Sequence, residues 1–326
     1  MDKQDLKDLT HPITRDLEAF EKKLRRHLSA DSRLINSVID HILASRGKRL
    51  RPALLFLSSR SGGYYSSKLS EAALVIELIH TATLLHDDVV DESDLRRGRD
   101  TVNRRWNNLV SVLMGDFLFS RAFVTMVNIG SPEINESICR ATERVSFGEL
   151  RQIEESANYD LDEGQYIRII ADKTAALFAS ACEVGPLLGK ASAKTVHRFT
   201  NFGENIGIAF QIADDLLDFV GNTEKTGKHT GSDLIQGKVT LPLIHSLSRS
   251  SGRVRAEITG LLSNGIDRRG ASRVVRFVKE QGGIDYAYDV ARAYSSRAAE
   301  FFDSMSDNIY GRTLQNLIEF TVSRDN

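Results

Sequence analysis

Proline is scarce in this chain, five in 326 residues, and turn dipeptides of the Asn-Gly kind are rare, Asn264-Gly265 being one. Few breaks and few hairpin signals argue against an all-β architecture and leave room for long helices. Cysteine is scarcer still. Cys139 and Cys182 stand far apart with no ligand spacing, which excludes a disulfide framework and a cysteine zinc site and fits a reducing compartment. Neither charge sign is in excess: 43 Lys and Arg face 44 Asp and Glu, a formal net charge of −1. A general nucleic-acid binder would carry a basic surplus. No apolar run is read as long enough to cross a bilayer. The opening "MDKQDLKDLT" is charged from its second residue, unlike a secretory signal. The expectation is a soluble, cytoplasmic protein without a membrane anchor.

What the chain does contain is apolar spacing of helical period. Helices are predicted at 14–28, 31–45, 51–60, 68–93, 105–128, 132–156, 162–188, 192–220, 239–249, 252–264, 270–282, 284–304 and 309–321. Loops are predicted at 61–67, around 94–104, at 129–131 and at 221–238. No linker or short repeat divides the sequence, so residues 1–326 read as one all-α domain. The loop 221–238, "GNTEKTGKHTGSDLIQGK", is long and rich in Gly and Lys, as lids often are.

Two apolar helices carry acids at their C-terminal ends. On the first, positions 80, 84, 87 and 91 fall within about 40° of one another, so His80, Asp87 and Asp91 share a stripe with Leu84 between them. Asp88 lies at its border. Acid pairs near helix ends usually face water. A second copy weakens that explanation. "FQIADDLLDF", residues 210–219, sets Gln211, Asp215 and Asp218 on one stripe with Asp214 beside it. The economical expectation is that the clusters face one another across a cavity. Crowded carboxylates repel, and a hard cation such as Mg²⁺, which keeps waters and substrate phosphates in its shell, relieves them.

Cations accompany the acids. "GKRLRP", residues 47–52, supplies Lys48, Arg49 and Arg51; "LRRGR" adds Arg96, Arg97 and Arg99; Lys173 and Thr174 sit on an otherwise apolar helix; the long loop offers Lys225, Lys228 and Lys238. Arg suits forked phosphate recognition and Lys a movable point charge. Two anion sites are expected. One is metal-bridged, near Lys173, Gln211 and Lys228. The other is metal-free, built from Lys48, Arg51, His80 and Arg97. Two phosphate-bearing substrates beside an apolar cavity suggest the joining of two prenyl diphosphates.

These motifs carry a resemblance. Gly47 to Pro52, His80 to Arg97, Lys173-Thr174, Phe210-Gln211 with Asp214, Asp215 and Asp218, and Gly237-Lys238 before "VTLPL" are similar to the trans-polyprenyl diphosphate synthases, medium- and long-chain members above all. The resemblance implies an isoprenoid-synthase helical bundle around a central cavity, a homodimer and three Mg²⁺ ions per active site. It implies that Asp87 and Asp91 bind two ions with support from Asp88, and that Asp214 binds the third, assisted by Asp218; Asp215 completes the second motif. Lys48, Arg51, His80 and Arg97 would hold isopentenyl diphosphate. Arg96, Lys173, Thr174, Gln211, Lys228 and Lys238 would hold the allylic diphosphate.

A growing tail would run down the helix from Asp87. Ala82 and Thr83 lie about 6–7.5 Å lower and are small. The floor is expected on helix 105–128, at Phe123, Met126 or Val127. The expected product is hexaprenyl to octaprenyl diphosphate for a quinone side chain, released by transient contact with a membrane. Rival readings are a short-chain synthase, a terpene cyclase, a catalytic subunit that needs a partner, and a di-iron carboxylate bundle. Glu77 and His80 match one Glu-x-x-His element of the last, which needs two.

Overall fold

The computed structural model describes residues 6–45, 47–220, 230–304 and 308–322. Contacts between Cα atoms gather the chain into two compact units, each assembled from separated stretches. One comprises Met1–Thr142, Leu177–Gly203 and Phe301–Leu317; the other comprises Glu143–Ala176, Glu204–Glu300 and Ile318–Asn326. The helices in chain order are α1 (Leu6–Leu9), α2 (Thr14–Leu28), α3 (Arg33–Ala44), α4 (Leu50–Ser61), α5 (Leu69–Val90), α6 (Val102–Arg105), α7 (Asn108–Ile129), α8 (Pro132–Glu154), α9 (Glu163–Ile170), α10 (Ala176–Leu188) and α11 (Ala193–Val220). They continue with α12 (Ser232–Ile235), α13 (Leu241–Ser248), α14 (Gly252–Ser263), α15 (Arg268–Glu280), α16 (Gly283–Ala299) and α17 (Ile309–Val322). The only sheet among the described residues is the small antiparallel pair β1 (Leu95–Arg96) and β2 (Arg99–Asp100).

The first unit is organised by α5. Its 22 residues contain no Pro or Gly, and apolar side chains surround it, so most of it is buried. It stops by geometry. Asp91 is the C-cap, and Glu92 takes a left-handed φ of 48°. Ser93 N–H then donates to Asp88 O at 2.9 Å and Glu92 N–H to Val89 O at 3.3 Å, the paired bonds of a Schellman ending. The last aspartate of the DDxxD run thus sits at the helix mouth. Helix α7 packs on α5 closely enough that a Cβ at Gly115 would lie 2.1 Å from His86 Nε2, and Ser111 Oγ donates to Leu85 O at 2.9 Å. Contrary to the sequence expectation, α7 is long and apolar enough to cross a membrane by length and composition. Part of that apolar character belongs to its seam with α5.

The second unit packs α9 and α13–α16 around Ile212, Leu216, Leu243, Val274 and Ala287. Helix α9 starts with a capping box: Gln165 N–H donates to Asp162 Oδ1 at 2.8 Å, and Asp162 N–H to Gln165 Oε1 at 3.0 Å.

Most predicted helices lie within a few residues of the observed ones. The predicted continuous helix 162–188 does not hold: a π turn, Ala171–Ala175, separates α9 from α10. The predicted loop at 94–104 contains β1, β2 and the start of α6. Of the predicted lid, 221–229 lies outside the described residues, and 232–235 forms α12.

Helix α10 meets α4 at Gly185, where a Cβ would lie 2.7 Å from Ser59 Cβ and 2.9 Å from Ser59 Cα. Gly185→Ala should therefore destabilise the protein by about 1–3 kcal/mol, read as a lowered urea midpoint at unchanged slope.

Candidate active site

In the first unit, a pocket opens between α3, α5 and the β1–β2 hairpin. His80, Arg96, Arg97, Arg49, Glu77 and Asp88 supply its polar lining, and Leu84, Leu85 and Val102 its apolar wall. The His80 ring is held well below the ordinary imidazole value by burial first, then by Arg51, Arg97, Arg96 and Arg49. It is therefore neutral at pH 7 and able both to donate and to accept. The arginines are not equivalent. Burial acts to lower Arg49, but Glu77 and Glu21 leave it raised, and its guanidinium donates to both, to Glu21 Oε1 at 2.7 Å. Arg96 Nε donates to buried Asp88 at 2.8 Å. Arg51 is pushed down to about 10 by burial, with Arg97 adding to the effect and Glu77 opposing it. Its Nε is buried without an acceptor, and Cζ lies 4.6 Å from the Phe178 ring centroid. Two arginines are thus neutralised by the fold. Arg51 and Arg97 lack such carboxylate partners among the described residues, and an incoming anion can satisfy them.

The hairpin that delivers Arg97 is strained. Leu95 pairs with Asp100 and Arg96 with Arg99, so Arg97 and Gly98 form the two-residue turn. Their φ values are 54° and 72°. A turn with both residues left-handed matches the twist of a hairpin, and Asn-Gly is its preferred pair. Arginine there costs about 1–2 kcal/mol of backbone energy. His41 fastens the hairpin from outside. Its Nδ1 lies 3.1 Å from Arg105 NH1, and a guanidinium can only donate. The ring hydrogen therefore sits on Nε2, which donates to Asp100 O at 2.7 Å. Gly47 gives the Arg97 guanidinium room: a Cβ there would lie 2.7 Å from NH1. Lys48 is exposed.

Asp87 and Asp91, one turn apart, are half-buried, whereas Asp88 is buried against Arg96. Asp88 therefore positions an arginine and is less open to a ligand than its neighbours. Of the residues expected to meet a prenyl tail, Ala82 and Met126 are buried, Thr83 is half-buried with its hydroxyl bonded to His80 O, and Phe123 is 44% exposed. Val127 is 65% exposed.

The second unit brings the other motif residues together. Thr174 Oγ1 donates to Gln211 Oε1 at 2.7 Å, Gln211 Nε2 to Asp215 Oδ1 at 2.7 Å, and Tyr166 OH to Asp215 Oδ2 at 2.7 Å. Asp215 is pushed up to about 7 by burial first and then by Asp233 and Asp214, against the bonds from Tyr166 and Gln211. Both its oxygens already accept, so it organises Gln211. Asp214 is exposed. Asp218 caps α12, accepting from Ser232 N–H at 2.9 Å and Asp233 N–H at 3.1 Å. The π turn carries Lys173 and Thr174. Lys173 Nζ donates to Glu149 at 2.7 Å, and Asp172 is fixed by Arg144 at 2.8 Å. Helix α8 approaches at Gly148, where a Cβ would lie 2.4 Å from Lys173 N. Lys238 is half-buried beside α12. Lys228 lies outside the described residues.

Residues 32–276, which include all of these positions except Glu21, match the sequence description of polyprenyl synthetase. The chain belongs to the polyprenyl synthetase family. It is an all-α prenyltransferase of the polyprenyl diphosphate synthase class. It is 35% identical to heptaprenyl diphosphate synthase component 2 of Geobacillus stearothermophilus, covering 98% of this chain and 99% of that one. It is 34% identical to octaprenyl diphosphate synthase of Escherichia coli strain K12, over 98% and 99% of the two. A polyprenyl synthase of Caulobacter crescentus CB15, solved with calcium and isoprenyl diphosphate, superposes with a TM-score of 0.93 at 34% identity, covering 100% of both chains.

Polyprenyl synthetase membership raises the question of a metal. Among the described residues no three carboxylate, His or Cys side chains converge as a ready-made cage. Mg²⁺ does not require one, because it binds through one or two carboxylates and completes its shell with water and phosphate oxygens. Asp87 and Asp91, all-oxygen donors one turn apart at a helix mouth, fit that demand.

Glu21, His41 and Tyr166 did not stand out in the sequence, and Glu77 was noted only as half of a Glu-x-x-His element. Each looks like an ordinary helix residue until its partner is known, although Glu77 on an apolar helix was a usable signal.

Replacing Arg97 separates folding from binding. Arg97→Asn should raise stability by about 1 kcal/mol, because Asn accepts the left-handed turn. It should lower the affinity for inorganic diphosphate by about tenfold or more through loss of a charge-assisted bond, as measured by calorimetry.

Proposed function

We propose that this prenyltransferase condenses isopentenyl diphosphate with an allylic diphosphate, in the presence of Mg²⁺, to make a medium- or long-chain all-trans polyprenyl diphosphate of about octaprenyl length for a quinone side chain. The observation that carries the proposal is the buried Arg51 Nε without an acceptor, beside Arg97 and neutral His80. That set, with Lys48, suits the diphosphate of isopentenyl diphosphate. Arg96, Lys173, Thr174, Gln211, Lys228 and Lys238 suit the allylic diphosphate. Asp87 and Asp91 would hold two of three Mg²⁺ ions, and Asp214, assisted by Asp218, the third. Bound Mg²⁺ supplies charge neutralisation for the leaving diphosphate.

The chain's own groups account for the rest. Lys173, held by Glu149 at 2.7 Å, can stabilise the diphosphate as the allylic C–O bond breaks. The double bond of isopentenyl diphosphate, fixed by Arg51 and Arg97, supplies its electron pair to the allylic carbon. The resulting cation loses a proton to the departed diphosphate, and a new double bond forms. No histidine base is needed. Holding both partners in place lowers the entropic part of the barrier.

The exposed apolar side chains Leu109, Leu113, Val124 and Val127 of α7 support a homodimer through that helix. A cytoplasmic enzyme that touches the membrane transiently to release its product fits the same reading. A second reading has one support: the relative from Geobacillus stearothermophilus is named as a component, so this chain could be the catalytic member of a pair.

Incubation of the purified chain with farnesyl diphosphate, isopentenyl diphosphate and Mg²⁺, followed by mass analysis, tests both readings. The expected outcome is a ladder ending at about eight isoprene units, the small Ala82 and Thr83 below Asp87 leaving the tail unblocked at that level. A well-folded but silent preparation would favour the paired form. Asp87→Ala should reduce turnover by at least about a hundredfold while inorganic diphosphate still binds at Arg51. Near-normal turnover would overturn the Asp87 assignment.

Chain length has its own test. Ala82→Phe should shorten the product while leaving the first condensation intact. Unfolding curves run alongside would reveal whether overpacking at this buried position, typically about 1–3 kcal/mol, is responsible instead.

A further inference from the structure

The pocket around His80 is not the only concentration of positive charge in the first unit. A second cavity, of about 610 Å³, opens beside the start of α5. Its lining includes Lys22, Lys23, Arg26, His27, Ser70 and Arg121, and no carboxylate. Along α2, positions 19, 22, 23 and 26 span about 100° of arc, so Ala19 and three cations share one face. Glu71 neutralises Lys23. Lys22, Arg26 and Arg121 have no carboxylate partner among the described residues. In a chain of net charge −1, three such cations around one concavity form a local field that an anion would relieve.

His27 reports on that field. Thr125 Oγ1 gives its hydrogen to Arg121 O at 2.8 Å, so at 2.9 Å from His27 Nε2 it acts as an acceptor and Nε2 carries the ring hydrogen. Burial first, then Arg121 and Lys23, hold the ring below the ordinary imidazole value, although the Arg121 backbone bond opposes this. Helix α5 adds to the positive end: its N-cap, Lys68, offers no side-chain acceptor to the first turn, where Ser70 sits.

We propose that this cavity binds a phosphate group, held by Lys22, Arg26 and Arg121 with the Ser70 hydroxyl as a further donor. The site is separate from the reacting diphosphates, because Ser70 and Asp87 are about 25 Å apart along α5. The same tetrahedral oxyanion can come from a soluble phosphate ester or from the headgroup of an anionic phospholipid. The inference does not depend on the condensation proposed above.

The test uses the full chain with ring-labelled histidine, the His27 signal being assigned by its loss in His27→Gln. The signal is titrated with pH alone, with inorganic phosphate, and with vesicles of phosphatidylglycerol or phosphatidylcholine. Besides Lys22, Lys23, Arg26 and Arg121, the neighbouring charges at the start of α5 are Glu71 and Lys68. An anion in the cavity should raise the His27 midpoint by on the order of one pH unit. A response to inorganic phosphate assigns a soluble ligand, and a response to phosphatidylglycerol vesicles alone assigns a lipid headgroup. Arg26→Ala combined with Arg121→Ala should abolish either response, and Lys22→Ala serves if the double variant fails to fold. No movement with any anion, or movement undiminished in the folded variants, overturns the site.

Discussion

Arginines crowded about one histidine in a poorly solvated pocket repel one another, and the fold must contain that repulsion. It does so selectively. Glu21 and Glu77 neutralise Arg49, and Asp88 neutralises Arg96, which leaves the charge of Arg51 and Arg97 for a ligand. His80 contributes by staying uncharged, since a further cation there would add to the repulsion. A protein selected for stability alone would have no reason to keep Arg51 Nε buried and unsatisfied, because such groups cost about 1–3 kcal/mol. The cost is intelligible if phosphate oxygens complete the set.

The second unit handles the opposite sign by the same means. Its acids are crowded, and one of them, Asp215, is moved toward neutrality and used as scaffolding by Tyr166 and Gln211. Asp214 is left exposed. In both units, a run of like residues divides into members buried in the service of the fold and members nearer to solvent. DDxxD is not three equivalent carboxylates in either place.

That division was the part the sequence concealed. Helical period and the scarcity of proline made nearly every long helix legible, and the two acid runs with their basic companions marked residues that each unit gathers together. Spacing alone could not show that Asp88 would turn inward to Arg96, or that Asp218 would accept the first N–H groups of α12. Both depend on segments whose approach is set by tertiary packing. The π turn was hidden for a related reason: "ADKTA" has ordinary helix propensity, and Gly148 allows a second helix to press against Lys173. The hairpin was missed because Arg97-Gly98 is an unfavourable version of a familiar turn, held by His41 from a distant stretch of chain.

The connection from α5 to α6 has two positive-φ residues before its glycine, Glu92 and Arg97, and is tied down by Thr101, Asn103 and His41. A segment so fully specified has little freedom left to surrender when a ligand arrives. Recognition there should resemble a key entering a finished lock, with the entropic toll already settled during folding. Such a site needs no rebuilding when it empties and stands ready for the next anion.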